Sequence, residues 1–343
     1  MAVTLQQIAE ACGVSRGTVD RALRDRGGIR PEVAQRVRET ARRMGYIPRH
    51  AAVQTGQQPV RIGVVLHTGI SEFVQQLAKN LREFPRQAML PMEVIVRVMN
   101  DTDVHHQLAL VDELIGEQID GLVLMPLASA LLREKINEVS EQHHVPVVTV
   151  NTDIADCNRL AYVGPDDIAC GRTAASLMGM TIGGRGRVLP LLGQRSGHFA
   201  DTQRLSGFLS EMRECYPQVE ILRPEYCFMD QELAERITRR ALRDVDNLAG
   251  IYLSSVGRSG VYRAIQRAGC PGKVHVVVHD LMPDNLRMIR EGVVDFAVGQ
   301  GIETQSTLPL RLLYQYLTKH RSPAKRCYIT QIDIRFRCNL LEE

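Results

Sequence analysis

A short N-terminal segment, residues 4–23, carries side chains with the chemistry to bind DNA. Arg16 and Arg21 are candidates for bidentate hydrogen bonds to guanine O6 and N7, the commonest specific contact in the major groove. Ser15 and Thr18 can hydrogen-bond to phosphate or to base edges. Residues 1–58 contain ten arginines, no lysine and five acidic residues, a balance of +5, whereas the rest of the chain sums to −2. This distribution indicates one polyanion-binding end on a near-neutral body.

The pattern around these side chains predicts three short helices. Apolar residues recur at helical spacing after Thr4, which is placed as an N-cap, and Gly13 can adopt the positive φ that a tight turn needs. Ser15 then caps a second helix, and Pro31 opens a third whose apolar residues form one face. We expect a helix-turn-helix that inserts its second helix into the major groove of double-stranded DNA. The alternative is a three-helix bundle with a solvated basic face.

From residue 60 onward, short apolar runs alternate with amphipathic stretches. The runs predict buried strands at 61–66, 93–98, 121–125, 145–150, 187–192, 250–253, 274–278 and 296–298. Helical patterns fall between most of them, for example at 104–116, 128–141, 167–180, 200–214, 231–244, 257–268 and 303–318. Such alternation predicts parallel sheets covered on both faces, and the segment is longer than one such sheet usually needs. The predicted fold class is α/β, with a three-helix helix-turn-helix head at 1–47, a linker at 48–59 and a two-lobed, doubly wound body at 60–343.

Polar side chains follow several predicted strands, at the ends where ligands bind in open α/β sheets. Asn151 and Asp153 follow one strand, and Ser254, Asp280 and Gln300 follow three others. Convergent donors and acceptors of this kind suit the hydroxyls of a sugar, and a ring covers its apolar face. Phe73 or Phe228 could supply that ring. The alternative for any single carboxylate is that it caps the following helix.

The chain carries no motif of a common catalytic or cofactor-binding site. GxxxxGK[ST], GxSxG and HExxH are absent, and Gly299-Gln-Gly301 is only a fragment of a dinucleotide-binding fingerprint. The eight cysteines form no CxxC pair and no zinc-ligand spacing with histidine, and the N-terminus has no signal-peptide pattern. No apolar run is long enough to span a membrane. We therefore expect a cytoplasmic binding protein without cofactor or metal, and not an enzyme.

The N-terminal residues resemble the DNA-binding head of the LacI/GalR family of bacterial regulators. The shared pattern is VTLxxIAxxxGVSxxTVxRAL, a loop, a third helix and Gly45-Tyr46-Ile47-Pro48. The resemblance implies a homodimer on a near-palindromic operator, with Arg16 and Gly17 at variable base-reading positions and Arg21 at the regular one. The DNA-binding residues predicted in this way are Thr4, Ser15, Arg16, Gly17, Thr18, Arg21, Arg24, Tyr46 and Val53.

Two positions depart from the family pattern. Asp20 replaces the usual serine or asparagine and brings an acid close to DNA, where it either repels phosphate or accepts from a cytosine amino group. Thr55 stands where the family places a leucine that wedges into the minor groove and kinks the operator. Either Val53 takes that role in a shifted register, or the operator is not kinked in this way.

The body resembles the periplasmic sugar-binding protein fold, as in ribose-type binding proteins. Its markers are the segments 158–171, 204–208 and 259–269 and the pair Asp280 and Gln300. The resemblance implies that two lobes close around a small polar effector and so change the spacing of the heads. The ligand contacts that it implies are Phe73, Asn151, Arg204, Phe228, Ser254, Asp280 and Gln300. Asn151 stands where an acid is common and Thr152 where an arginine is common, so a carboxylated or phosphorylated ligand would also suit Arg204.

Other functions stay open on the sequence alone. A nucleobase corepressor would occupy the same cleft, a sugar-modifying enzyme would need a general acid/base or phosphate site there, and an architectural DNA-binding protein would have an apolar cleft. The last predicted strand, 333–336, is followed by too few residues for a leucine-rich tetramerising helix, so we expect a dimer.

Overall fold

The computed structural model describes residues 5–23, 30–44, 59–193, 199–255 and 257–340. The three N-terminal helices belong to one compact unit and nearly all of the two sheets to a second, and each unit is described separately. The helices, in chain order, are α1 (Leu5–Cys12), α2 (Arg16–Leu23), α3 (Pro31–Arg43), α4 (Glu72–Ala88), α5 (Val104–Gly116), α6 (Ala130–Glu141), α7 (Asp167–Thr181), α8 (Phe199–Cys215), α9 (Gln231–Asp244), α10 (Arg258–Arg267), α11 (Pro283–Arg290) and α12 (Ile302–Lys319).

The strands extend from residue 60 almost to the end of the described chain. They are β1 (Val60–Leu66), β2 (Met92–Val98), β3 (Gly121–Leu124), β4 (Val147–Val150), β5 (Ala161–Gly164), β6 (Gly186–Leu192), β7 (Val219–Ile221), β8 (Glu225–Tyr226), β9 (Leu248–Leu253), β10 (His275–His279), β11 (Phe296–Gly299), β12 (Cys327–Ile329) and β13 (Asp333–Arg335).

The N-terminal helices α1 to α3 share one small core. Ile8, Val19, Val37 and Ala41 are fully buried in it, one or more from each helix. Gly13, between α1 and α2, has a φ of +62°, a conformation that costs glycine little. The positive φ predicted at this turn is confirmed, and the helix-turn-helix fold of the head follows from one apolar stripe per helix.

The first lobe is built on a six-stranded sheet in the order β12-β5-β4-β3-β1-β2. The pairs β1–β3, β3–β4, β4–β5 and β5–β12 are parallel. On one face, Leu114 of α5 and Ile136 of α6 pack with Val65 and Leu122 of the sheet. Helix α12 packs against β3, β4 and β5.

The second lobe contains a seven-stranded sheet in the order β13-β11-β10-β9-β6-β7, with β8 also paired to β6. Only β13 runs antiparallel to its neighbour, among the pairs described. One face packs against α7 and α8 through residues such as Met178 and Phe208, and the other against α9 to α11 through residues such as Ile237 and Ile265. The chain passes between the lobes after β5, β11 and β12, so Gln300, which follows β11, lies where one crossing begins.

Two glycines bring α7 and α8 into close contact. A Cβ added at Gly171 would lie 2.0 Å from the backbone oxygen of Arg204, and one at Gly207 would lie 2.1 Å from that of Ile168. Both glycines belong to segments that mark the family resemblance, and neither position has room for a side chain. This close approach brings Arg204 of α8 beside Asp167 at the start of α7.

All eight predicted strand runs lie on strands of the structure, and each predicted helical stretch overlaps a helix. The strand predicted at 333–336 is β13. The short edge or crossover strands β5, β7, β8 and β12 were not predicted, because runs of two to four residues carry little periodicity.

Candidate functional site

Helix α2 carries four of the nine predicted DNA-binding residues, and Ser15 directly precedes it. Arg16 and Gly17 are exposed in its first turn, and Thr18 is half-buried. The Ser15 hydroxyl oxygen accepts a 3.1 Å hydrogen bond from the backbone N–H of Thr18, which confirms the predicted cap of α2. The two hydroxyls of Ser15 and Thr18 also lie 2.9 Å apart. Arg21 lies in α2, but its side chain is outside the described residues, as are Thr4, Arg24, Tyr46, Val53 and Thr55.

A second set of polar side chains meets where strands of both lobes end. The residues that line a cavity there include Thr68, Asn151, Arg204, Arg258, Asp280 and Gln300, with Phe73 and Met229 as apolar walls. Thr68 and Asn151 follow β1 and β4 of the first lobe, and Asp280 and Gln300 follow β10 and β11 of the second. Parallel strands bring their carboxyl ends to one edge, so residues far apart in sequence converge. We call Asn151, Arg204, Arg258, Asp280 and Gln300 the cleft network.

The Gln300 side-chain amide joins the cleft network. Its Oε1 accepts from Asn151 Nδ2 at 2.9 Å and from Arg204 Nη2 at 3.2 Å, while its Nε2 donates to Asp280 Oδ1. The Gln300 backbone oxygen accepts from Gln305 Nε2 and Thr330 Oγ1. Gln300 is 6% exposed, so its amide is held with donors and acceptors matched on both sides.

Arg204 is buried and its charge is balanced inside the second lobe. Its Nε donates to Asp167 Oδ1 at 2.7 Å, and its Nη1 donates to the backbone oxygen of Ser254 at 2.8 Å. Burial alone would lower the pKa of the Arg204 guanidinium, but the carboxylates of Asp167 and Asp280 raise it above its usual value. Asp167 was not among the predicted site residues, although it stands in the 158–171 segment that marks the resemblance.

Arg258 is the second cation among the described residues that line the cavity, and it was not among the predicted site residues. Its Nη2 lies 3.4 Å from Asp280 Oδ2, and its Nη1 lies 3.4 Å from Glu72 Oε2. Glu72 begins α4 in the first lobe and is half-exposed, whereas Arg258 begins α10 in the second lobe and is buried. The Arg258–Glu72 pair therefore joins the two lobes at the cavity. The only feature of the sequence that points to Arg258 is its position next to the 259–269 segment that marks the resemblance.

Three predicted ligand residues do not line this cavity. Asp153 is held by Arg159 through two hydrogen bonds, of 2.6 and 2.5 Å, and accepts a third from Thr149. Phe228 is 59% exposed, and its neighbour Met229 contributes to the cavity wall instead. Ser254 is fully buried behind the wall, where its hydroxyl donates to Asp201 Oδ1 at 2.6 Å.

Several cavity residues have unusual backbone conformations. Thr68, Asn151, Met229 and Asp280 have φ values of 57°, 63°, 65° and 74°. Residues with a Cβ rarely adopt this left-handed region, and a β-branched residue such as Thr68 does so at an energetic cost. Such strain is found where the surrounding structure holds a side chain in position for binding.

A buried aromatic layer supports the wall from behind. The rings of Phe208 and Tyr252 are stacked with centroids 4.1 Å apart, and Tyr252 Oη lies 2.9 Å from His279 Nε2. Burial lowers the pKa of His279 well below its usual value, and the charges of Arg204 and Arg258 lower it further. Asn285 Nδ2 donates to the backbone oxygens of His279 and Asp280, which fixes the turn after β10.

The space inside the cleft network is small. The cavity measures about 40 Å³, room for about three water molecules at ~10–15 Å³ each. A larger pocket of about 410 Å³ adjoins it and shares Phe73, Asp280 and Gln300. A ligand of sugar size therefore requires movement of the lobes or of the arginine side chains. Within the described part of the chain, no cluster of His, Cys, Asp and Glu could hold a metal ion, and no helix is both long and apolar enough to cross a membrane.

The two-lobed body and the helix-turn-helix each match a known protein family. A model of the periplasmic binding protein domain matches residues 62–321. A model of bacterial regulatory proteins of the lacI family matches residues 4–49. The chain belongs to the periplasmic binding protein domain family and carries a lacI-family DNA-binding domain. In this family member, the cleft network lies entirely within the matched periplasmic binding protein domain.

Individual relatives come from both kinds of protein. Catabolite control protein A of Staphylococcus epidermidis is 27% identical over 169 residues, which are 48% of this chain and 49% of the relative. The D-allose-binding periplasmic protein of Escherichia coli is 23% identical over 260 residues, 73% of this chain and 82% of the relative. The chain thus spans about half the length of the first relative and most of the second.

A solved structure supports the fold of the body. An ABC transporter solute binding protein from Burkholderia graminis, in complex with D-arabinose, aligns with a TM-score of 0.75 at 20% identity. The alignment covers 82% of this chain and 97% of that protein. Because the identity is low, this likeness shows the fold alone.

Proposed function

We propose that this protein is a transcriptional regulator whose affinity for a DNA operator is set by a small, neutral, polyhydroxylated ligand, a sugar or sugar derivative. The observation that carries the ligand class is the cleft network, in which amide, carboxylate and guanidinium groups converge on one cavity. The lacI-type head supports the DNA function, and the names of the relatives, a catabolite control protein and an allose-binding protein, agree with both halves.

The charges of the cleft favour a neutral ligand over an anionic one. Arg204 is paired with Asp167, and Arg258 faces Asp280 and Glu72. The two guanidiniums are thus compensated by carboxylates of the protein itself, so an anionic ligand would have to displace one of them. A carboxylated or phosphorylated effector in this cleft is therefore disfavoured. Hydroxyls can instead share the remaining donor and acceptor sites of Asn151, Asp280 and Gln300 without any change of charge.

We propose lobe closure as the mechanism. Asn151 of the first lobe already contacts Gln300, and Glu72 of the same lobe contacts Arg258. A ligand that bridges Asn151 and Asp280 would first need more space between them than these contacts leave, and it would then hold the two lobes together, so it would shift the population toward a ligand-bound closed form. In a homodimer, that shift would change the spacing of the two heads. We further propose that the protein acts as this dimer in the cytoplasm and has no enzymatic activity.

A thermal-shift screen of the full-length protein tests the ligand class. Neutral sugars and polyols are compared with their acids, their phosphates and nucleobases. A ligand at about 100 times its Kd should add ~2.7 kcal/mol of stability. We expect the neutral polyols to give the largest shift in melting temperature. The same screen on Asp280→Asn, the variant that disables the cleft, should give a smaller shift. A nucleobase that stabilised the protein while no polyol did would contradict the ligand class.

Operator binding tests the DNA half of the proposal. Arg16→Ala should weaken operator binding by ~1–3 kcal/mol and relax specificity at one base pair, as measured by fluorescence anisotropy on a set of single-base operator variants. Arg213→Ala, which removes an exposed arginine of α8, is the control. An equal loss on every DNA sequence would contradict a base-reading role for Arg16. Light scattering on the same samples tests the dimer, which a stable tetramer would contradict.

A further inference from the structure

A second concave surface lies on the first lobe, at the opposite end of the strands from the cleft network. It encloses about 430 Å³, and its lining includes Pro146, Leu160 and Arg326. These three residues directly precede β4, β5 and β12, so the pocket lies where the strands begin. The four residues of β4 lie between Pro146 and Asn151, so the two are five steps of ~3.3 Å apart, about 16 Å along the strand. We call it the strand-start pocket.

The strand-start pocket is rich in cations and hydrogen-bond donors. His144, Arg159, Lys325 and Arg326 contribute nitrogen donors, and Tyr316 and Ser322 contribute hydroxyls. None of the described residues that line it is acidic. Two carboxylates contact residues of the lining and are engaged there: Glu141 accepts from the Asn158 side chain, and Asp153 is bound to Arg159.

The side chains of Arg159 and Arg326 are each held by backbone oxygens of the neighbouring strand start. Arg159 Nη1 donates to the backbone oxygen of Arg326 at 3.0 Å, and Arg326 Nη2 donates to the backbone oxygens of Cys157 at 3.2 Å and Arg159 at 3.4 Å. The carboxylate of Asp153 compensates the charge of Arg159. Among the described residues, no carboxylate forms an ion pair with Arg326 or with Lys325. The positive charges of Lys325 and Arg326 are therefore left for an anion or solvent to compensate.

We propose that the strand-start pocket binds a small phosphomonoester, with the phosphate held by Lys325 and Arg326 and the remainder of the molecule facing Tyr316 and Asn158. Arginine and lysine are the side chains that bind phosphate best, and the pocket is within the ~300–1,000 Å³ typical of small-molecule sites. The concave shape favours a small molecule over the extended backbone of a nucleic acid.

Such a site is independent of the ligand proposed for the cleft. The cleft network balances its arginines with carboxylates and suits a neutral ligand, whereas the strand-start pocket leaves Lys325 and Arg326 without such partners among the described residues. The protein would then respond to two chemically different small molecules.

Isothermal titration calorimetry on the full-length protein tests the proposal. The probes are ribose 5-phosphate, inorganic phosphate and ribose, each titrated at low and at physiological salt. We expect ribose 5-phosphate to bind, inorganic phosphate to bind more weakly, and any heat from ribose to be unchanged by Lys325→Gln and Arg326→Gln. Lys325→Gln and Arg326→Gln should each weaken binding of ribose 5-phosphate about tenfold or more. Arg321→Gln, which removes an exposed charge from the same connection outside the lining, is the matched control and should bind normally.

The other outcomes each overturn the proposal. An absence of binding at millimolar ribose 5-phosphate would exclude the site. An equal loss with Arg321→Gln would indicate a diffuse surface charge. Binding that survived Lys325→Gln and Arg326→Gln but disappeared in Asp280→Asn would place the phosphate in the cleft. If the two variants lost affinity for DNA of any sequence and bound no phosphate, the surface would contact the DNA backbone. Because Lys325→Gln leaves the cleft unchanged, its result is separate from the outcome of the sugar screen.

Discussion

Replacing Asp280 by Asn removes one charge from the cleft network and leaves its shape. The carboxylate accepts from Gln300 through Oδ1 and faces Arg258 through Oδ2. An Asn side chain can satisfy only one of these donors, because its amide group would face the other donor. The backbone of residue 280 is held separately, by its N–H to the Val298 oxygen at 2.9 Å and by Asn285 at its carbonyl. The fold should therefore survive the substitution.

The magnitude follows from the charge that residue 280 loses, which leaves at most one of the two contacts, as a hydrogen bond to a neutral acceptor. The Gln300–Asp280 hydrogen bond is charge-assisted, a class worth about 1.5–3 kcal/mol, while the 3.4 Å contact to Arg258 contributes less. We expect the affinity for the cleft ligand to fall at least about tenfold, as measured by calorimetry with the best sugar from the screen. Operator binding without ligand should match that of the unsubstituted protein, because the head is unchanged.

Asp284→Asn, at the start of α11, is the matched control for this charge and should bind the sugar normally. An unchanged sugar affinity in Asp280→Asn would show that the carboxylate does not hold the ligand or Gln300. A large fall in melting temperature, or loss of DNA binding, would show that Asp280 maintains the fold, and the reasoning would then be wrong.

Three further predictions concern the residues that support the cleft. Asp167→Ala leaves the buried Arg204 guanidinium without its carboxylate and should lower the free energy of unfolding in urea by about 3–5 kcal/mol. Asp166→Ala removes only a helix cap at Ala169 and should lower it by ~1 kcal/mol. Equal losses of stability in the two variants would contradict the ion-pair argument. Gly207→Ala should destabilise the protein by about 1–3 kcal/mol, because the added Cβ would meet the backbone oxygen of Ile168. Gly116→Ala, with open space around it, should not destabilise the protein. A Gly207→Ala variant as stable as the unsubstituted protein would refute the close contact of the two helices. Burial lowers the pKa of His279, so between that lowered pKa and about 6.5 the unfolded chain binds more protons than the folded chain. The free energy of unfolding should therefore fall as the pH decreases through this window, by at most ~1.4 kcal/mol per pH unit. The decrease of stability with falling pH should be shallower in His279→Gln than in the exposed control His143→Gln. Identical slopes of melting temperature against pH in the two variants would contradict this role of His279.

The local pattern of the sequence was sufficient to predict the three helices of the head and most of the longer strands and helices of the body. The turn at Gly13, the cap at Ser15 and the apolar stripes of three helices are short-range features, so residues within a few positions of each other specify them. The alternation of strands and helices predicted parallel sheets for the same reason. The rule that ligands bind at strand ends then selected Asn151, Asp280 and Gln300, which the structure brings to one cavity.

The tertiary structure alone decided how the charges are paired. Asp153 and Asn151 stand two residues apart after the same strand, yet Arg159 holds Asp153 away from the cavity. Arg204 and Arg258 acquire Asp167, Asp280 and Glu72 as partners from other helices and strands. A sequence shows the order of these residues but not the distances between their side chains. The charge compensation on which the proposal of a neutral ligand rests depends on those distances.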